Sequence, residues 1–245
     1  MTTFTERLAN VVHGLGLGPW GVVAQGRYDA AAPEPLRTAA ILPGARSVVV
    51  IGSGGPALFR RFVDDVGRSP SRLDEPDPLD SFVERTFAHV DALFAEGGER
   101  FRRIPAAATA TPRLDFVRLA MLAGLGLPGE FGLLVHPVFG PWFALRAAVF
   151  TTRDLPDSAP MSRSLCEGCP APCRAACPPR IVGPGPFDWR ACAAAHDAGE
   201  PCRSRCGARL ACVIGPQSRY DPMQILYHAD RARGVAAIRE ASGSG

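Results

Sequence analysis

The stretch Cys166-Glu-Gly-Cys169-Pro-Ala-Pro-Cys173-Arg-Ala-Ala-Cys177-Pro178 sets four thiols within twelve residues and closes them on a Cys-Pro step. Cubane iron–sulfur clusters need thiolates that converge from a tight loop, and the bacterial spacing is C-x2-C-x2-C-x3-C-P. Here the middle gap holds three residues instead of two, while the closing Cys-Pro is intact. In two-cluster proteins the fourth cysteine of such a run serves the other cluster, so a second set of thiols is expected downstream. It follows as Cys192, Cys202, Cys206 and Cys212. The assignment that uses every cysteine gives Cys166, Cys169, Cys173 and Cys212 to one [4Fe–4S] cluster. Cys177, Cys192, Cys202 and Cys206 go to the other. Two zinc sites of four thiolates would also consume eight cysteines, but zinc is usually held by paired C-x2–4-C knuckles, and the compact run ending in Cys-Pro suits a cubane better.

The eight cysteines all fall between Cys166 and Cys212, in a chain of 245 residues. The linker Thr151–Ser164, with Asp154, Pro156, Asp157 and Pro160, suggests one boundary near residue 155. The expected organisation is a cofactor-binding domain over 1–155, a double-cluster domain over 156–233 and a flexible tail over 234–245 that ends in Ser-Gly-Ser-Gly. A formal net charge of +3 is too small to argue for nucleic acid, and the 27 basic residues are all arginine. The N-terminus shows no charged region followed by an apolar stretch, and no run approaches the roughly 18 apolar residues of a membrane span. A cytoplasmic, reducing setting is expected, in which clustered cysteines point to metal rather than to disulfides.

Before the linker, helical and strand-like patterns alternate, which indicates an α/β or α+β domain. Thr5–Leu15 reads as a helix, Trp20–Gln25 as a short strand and Arg46–Ile51 as a buried β-branched strand. Pro56–Val66 reads as a helix. The next helix, capped by Asp80 or Ser81, carries Val83, Phe87, Val90 and Phe94 at helical spacing. A helix over Pro112–Ala123 precedes two β-rich runs, Phe131–His136 and Trp142–Thr151, expected to pair as a hairpin. Gly52-Ser-Gly54-Gly55 after a strand imitates the start of a dinucleotide-binding turn, although Glu75, at the right distance, lies in a Pro-rich loop.

The run Gly132-Leu-Leu-Val-His136-Pro137-Val-Phe139-Gly140-Pro-Trp142-Phe143-Ala-Leu-Arg146 resembles the His-Pro-x-Phe-Gly-x-Trp-Phe-Ala-x-Arg segment of the cblC-type cobalamin-processing proteins. Arg102-Arg103-Ile104-Pro105 is similar to the Arg-Arg-Val-Pro of that family. A second resemblance runs through the whole chain: Leu42-Pro43-Gly44-Ala-Arg46-Ser47-Val, Ala123-Gly124-Leu125-Gly126 and the paired cysteine motifs resemble epoxyqueuosine reductases and reductive dehalogenases. These resemblances imply a nitroreductase-like cobalamin-binding α/β domain followed by a ferredoxin-like domain with two [4Fe–4S] clusters, α+β as a whole. They imply an oxidoreductase that passes electrons through the clusters to a corrinoid, with a ferredoxin or flavodoxin as donor. The cofactor contacts they imply are His136, Phe139, Trp142, Phe143, Arg146 and Arg103. No catalytic residue is assigned, since Ala106–Pro112, which matches the stretch with the catalytic Asp of the epoxyqueuosine enzymes, holds no acid. Nor is a tRNA-binding extension expected after the cysteines. Each contact has a plainer reading: His136 closing a turn, the aromatics as core, the arginines in internal ion pairs. Two whole-protein alternatives are an electron carrier without corrinoid and a zinc-stabilised interaction protein.

Overall fold

The computed structural model describes residues 2–107 and 110–243; within the acid-free stretch Ala106–Pro112 and the terminal Ser-Gly-Ser-Gly, residues 108, 109, 244 and 245 lie outside the described residues. The chain divides into two compact units, each made of three segments: 1–54, 79–126 and 144–162 in the first, 55–78, 127–143 and 163–245 in the second. A single boundary near residue 155 is therefore replaced by an interleaved division. Tertiary packing is the reason. Helix Ala57–Arg68 stacks Phe59 and Phe62 on Tyr227, with ring centroids 5.4 and 5.8 Å apart. Phe131 and Val135 share a core with Cys173, Cys177 and Cys212. Apolar burial thus recruits two upstream segments to the cysteine-bearing part of the chain.

The strands are β1 (Trp20–Ala24), β2 (Ser47–Gly54), β3 (Phe101–Pro105), β4 (Leu127–Pro128), β5 (Leu134–Val135) and β6 (Phe143–Thr151). Four of them form one sheet in the order β1-β2-β6-β3, antiparallel between β1 and β2 and between β3 and β6. Val48, Val49, Val50 and Ile51 are fully buried, as expected for a β-branched strand with both faces covered. β2 continues through Gly52–Gly54, so those glycines are strand residues and not a phosphate-binding turn. The expected hairpin does not form. β5 pairs back onto β4, and β6 joins the four-stranded sheet. Between β5 and β6 the chain closes on itself, with mutual backbone hydrogen bonds of 2.8 Å between His136 and Gly140.

Helix Phe4–Gly14 opens on a capping box between Thr3 and Glu6. Helix Pro78–Ala95 begins two residues before Asp80 and three before Ser81, the expected caps, and it buries Val83, Phe87, Val90 and Phe94. The helix expected from Pro112 starts only at Phe116, because the Asp115 carboxylate accepts the Arg118 amide at 2.9 Å and caps it there. The segment expected to be a flexible tail is helical over Arg231–Ala241, anchored by the fully buried Ile238. Among the described residues, no helix is long and apolar enough to cross a membrane.

In the second unit the His136–Gly140 loop lies directly against the backbone that follows Cys212. A Cβ on Gly140 (φ 58°) would stand 1.9 Å from the carbonyl oxygen of Ile214, and one on Gly215 (φ 65°) would stand 2.4 Å from the carbonyl carbon of Phe139. Gly140→Ala combines a left-handed backbone with a steric clash, so we expect a loss of at least about 2 kcal/mol in denaturant unfolding. Gly67→Ala, in a helix where a Cβ meets nothing within 4 Å, should instead gain about 0.5–1 kcal/mol. Equal effects at the two positions would refute the close approach.

Candidate metal centre

Short local devices present the cysteines. The Ser164 hydroxyl accepts the Cys166 amide at 3.2 Å. Cys169 Sγ accepts the Ala171 amide at 3.4 Å, and Ala171, left-handed at φ 50°, turns the chain into helix Pro172–Ala176, which carries Cys173. Cys192 rides on helix Trp189–Asp197, whose N-terminus is capped by Asp188 through the amides of Arg190 and Ala191 at 3.1 and 3.0 Å. Cys206 caps helix Gly207–Leu210, its Sγ accepting the Arg209 amide at 3.4 Å. Backbone N–H groups aimed at sulfur stabilise thiolate over thiol. All eight cysteines are free.

Electrostatic coupling sorts the thiols into two groups. Burial raises the Cys173 thiol above its ordinary value, and Glu130, Cys166 and Cys212 add to the shift. Burial likewise raises Cys212, with Cys166 and Cys169 as its thiol neighbours. Cys192 is raised by burial and then by Cys206, Cys177 and Cys202; Cys202 is raised by burial and then by Cys177 and Cys206. No coupling joins one group to the other in these four cases. The groups are therefore Cys166, Cys169, Cys173 and Cys212, and Cys177, Cys192, Cys202 and Cys206. Among the described residues, no three His, Cys, Asp or Glu side chains are arranged to hold a single metal ion. Four converging thiolates repel one another, and bound iron relieves that repulsion while displacing the thiol protons. Eight free thiols of this kind are the donor type that iron–sulfur clusters take.

The second group lines one cavity of about 220 Å³, shared with Phe187, Trp142, His196, Arg205 and Arg209 among others. That is smaller than the roughly 300–1,000 Å³ of pockets for organic ligands, so it suits a compact inorganic group and not a corrin. Cys192 and Cys206 are exposed, and Cys173, Cys177 and Cys212 are buried. In the first unit a separate cavity of about 440 Å³, lined by Tyr28, Leu36, Arg113, Arg118, Leu119 and Leu122 among others, falls in the organic-ligand range.

Four of the six sequence-derived cofactor contacts lie together in the second unit. The His136 ring packs on Phe139 and Phe143, with centroids 5.1 and 5.4 Å away, and the Trp142 amide donates to the Phe139 carbonyl at 3.1 Å. His136 Nδ1 accepts the amides of Val138 and Phe139 at 3.0 and 3.2 Å, so its proton resides on Nε2. The turn-closing role is therefore real, and only Nε2 remains for a ligand. Burial pushes the His136 pKa down to about 4. The two arginines belong to the first unit. The Arg103 Nε donates to Asp91 at 3.0 Å and its guanidinium reaches Glu84 at 3.0 Å, stacked 4.9 Å from the Phe87 centroid. Burial opposes its charge, but the bonds to Glu84 and Asp91 outweigh that and raise its pKa. Arg146 Nε donates to the Ser53 hydroxyl at 2.8 Å. Sequence reasoning does not place Arg209 beside the aromatics; in the fold its guanidinium lies 4.8 and 4.6 Å from the ring centroids of Trp142 and Tyr220.

No family model matches the chain. A curated relative, the epoxyqueuosine reductase of Synechococcus sp. (strain CC9605), is 40% identical over 176 residues, covering 68% of this chain and 50% of that protein. The chain thus spans about half the length of the curated relative it matches. Among solved structures, the C. elegans B12-trafficking protein CblC aligns with a TM-score of 0.63 at 16% identity, over 96% of both chains. Epoxyqueuosine reductase, solved with a tRNA-Tyr epoxyqueuosine-modified stem loop, aligns with a TM-score of 0.59 at 16% identity, over 90% of this chain and 70% of that one. The fold is the α+β fold of these proteins, and the chain is a relative of the epoxyqueuosine reductases, as the sequence resemblance implied.

Two outcomes check the site. If each group of four thiols holds a cluster, Cys177→Ser and Cys212→Ser should each remove one, and different ones: C212S should retain the EPR signals of the set with Cys192 and Cys206, C177S those of the set with Cys166 and Cys169, in the reduced protein. Loss of the same cluster in both would refute the partition. For His136, a folded pKa near 4 against an ordinary value of 6.5 means that the unfolded chain binds more protons in that window. Its contribution to stability is complete above 6.5 and is lost as pH falls toward 4, with a slope of at most about 1.4 kcal/mol per pH unit. His136→Asn preserves an acceptor for the turn and should flatten this slope in unfolding measured at several pH values. An unchanged slope would contradict the assignment.

Proposed function

We propose that this chain, as a relative of epoxyqueuosine reductase with the fold of a B12-trafficking protein, is a corrinoid-binding iron–sulfur oxidoreductase. In this reading two [4Fe–4S] clusters deliver electrons to a corrinoid, either to process the corrinoid or to reduce a small substrate through it. The observation that carries the reading is the division of eight free cysteines into two coupled fours. When bound, the clusters supply one-electron transfer at potentials set by hydrogen bonds to sulfur, burial and charge; the chain's residues supply the rest.

Each group of four thiols holds one cluster. The exposed Cys192 and Cys206 mark the entry side, and the exposed Arg180, Arg190 and Arg205 around them would steer an acidic donor such as a ferredoxin or flavodoxin. His136, neutral at physiological pH, offers its Nε2–H, and Phe139 and Phe143 offer apolar rings to a corrin face. Arg146 and Arg103 are proposed as further contacts, Arg103 with its guanidinium already shared between two carboxylates. A reducing, cytoplasmic setting would keep the thiols ready for assembly.

A second reading is reduction of a modified base in tRNA, favoured by the 40% identity to an epoxyqueuosine reductase and by the stem loop bound in a structural neighbour. Titrating the cluster-loaded chain with hydroxocobalamin separates the two. We expect a shift of the corrin absorption bands that saturates at one corrinoid per chain, and reduction of the cobalt when a low-potential donor is added. Unchanged corrin bands at protein excess, together with retention of a tRNA stem loop, would overturn the leading reading in favour of the second.

A further inference from the structure

The cavity lined by Cys177, Cys192, Cys202 and Cys206 is also lined by two side chains with orphaned donors. Trp142 is 1% exposed, and among the described residues its Nε1 has no acceptor. Arg209 Nε is likewise buried without a partner, although another nitrogen of that guanidinium donates to the Pro141 carbonyl at 2.8 Å. Buried N–H groups of native proteins almost always find an acceptor, and an orphan beside a cavity implies a ligand that accepts there. The cavity is otherwise apolar, apart from the thiols, His196, His228 and arginines.

We infer that Trp142 Nε1–H and Arg209 Nε–H are hydrogen-bond donors to sulfur of the cluster held by Cys177, Cys192, Cys202 and Cys206, and that they set its potential above that of the buried cluster. This rests on the iron–sulfur reading of the cysteines and deepens it. Reduction adds negative charge to a cluster, so a donor aimed at its sulfur, or a guanidinium beside it, stabilises the reduced form more than the oxidised one. Arg209 is well placed for this: its guanidinium lies against the touching Trp142 and Tyr220 rings, 4.8 and 4.6 Å from their centroids, which partly shields its charge from water. A higher potential at the exposed cluster makes it the first acceptor from a donor. Both residues are positioning residues for electron transfer, and neither forms a bond to substrate.

The test compares the anaerobically reconstituted 245-residue chain as wild type, Trp142→Phe and Arg209→Lys. Iron and sulfide are measured first, and then the potential of each cluster by EPR-monitored titration. In both variants, with full iron content, we expect the exposed cluster to be harder to reduce, its oxidised-to-reduced ratio at fixed potential rising about tenfold, which is 59 mV for one electron. The buried cluster should be unmoved. Unchanged potentials of the exposed cluster in variants with full iron, or a shift confined to the buried cluster, would overturn the inference. If Trp142→Phe fails to assemble, the double variant Trp20→Phe/Trp189→Phe labelled with 15N-tryptophan, in which Trp142 is the one remaining tryptophan, keeps the inference testable. Pulsed EPR of its exposed cluster should then show a 15N coupling, and absence of that coupling overturns the inference. Iron-free wild type would instead be a failure of the iron–sulfur reading itself.

Discussion

Cys177 and Cys212 exchange places. Cys212 interacts with Cys166, Cys169 and Cys173 of the first run, and Cys177 interacts with Cys192 and Cys202 of the second. That crossing cannot be satisfied locally. It requires the 166–177 loop and the 192–212 segment to fold onto one another, and it commits the core that surrounds them. Phe131, Val135, Val182 and Ala208 pack on Cys173, Cys177 and Cys212 in a single cluster. Three of the cysteines are therefore part of the hydrophobic core of the second unit.

The same constraint accounts for the path of the upstream segments. Gly140 and Gly215 are brought so close that neither tolerates a Cβ, which seats the His136–Gly140 loop against the chain leaving Cys212. The aromatic motif is in this way positioned by the cysteine framework. Arg60 reinforces the arrangement from a third segment, pairing with the Asp221 carboxylate at 2.9 and 3.0 Å. Asp221 stands at the N-cap position of helix Pro222–Ala229, yet its carboxylate serves Arg60 and does not cap the helix. The pair is largely exposed and contributes orientation more than stability.

Much of this was legible in the residues, because cysteine spacing is a local signal that reports a non-local fold. The rule that the fourth thiol of the run turns away suggests a partition into two fours, and Val48–Ile51 announce a buried strand by composition alone. Other features depended on contacts that spacing does not encode. Phe131–His136 has the composition of a strand, but Gly132 sits at φ 75° and only Leu134–Val135 pairs. The interleaving of units rests on Phe59, Phe62 and Tyr227 meeting from positions far apart in sequence. His136 was visible as a candidate; that Nδ1 is consumed by its own turn is a matter of three-dimensional geometry. Arg209 carried no sequence signal beyond being one arginine among many.

The central claim is that two sets of thiols from separated segments each hold a four-iron cluster. Iron and acid-labile sulfide analysis of the chain purified without air, with Mössbauer spectra of 57Fe-labelled material, tests it most directly. The account predicts about eight iron and eight sulfide per chain, all as [4Fe–4S]. A colourless preparation with two zinc ions per chain and no sulfide would contradict it.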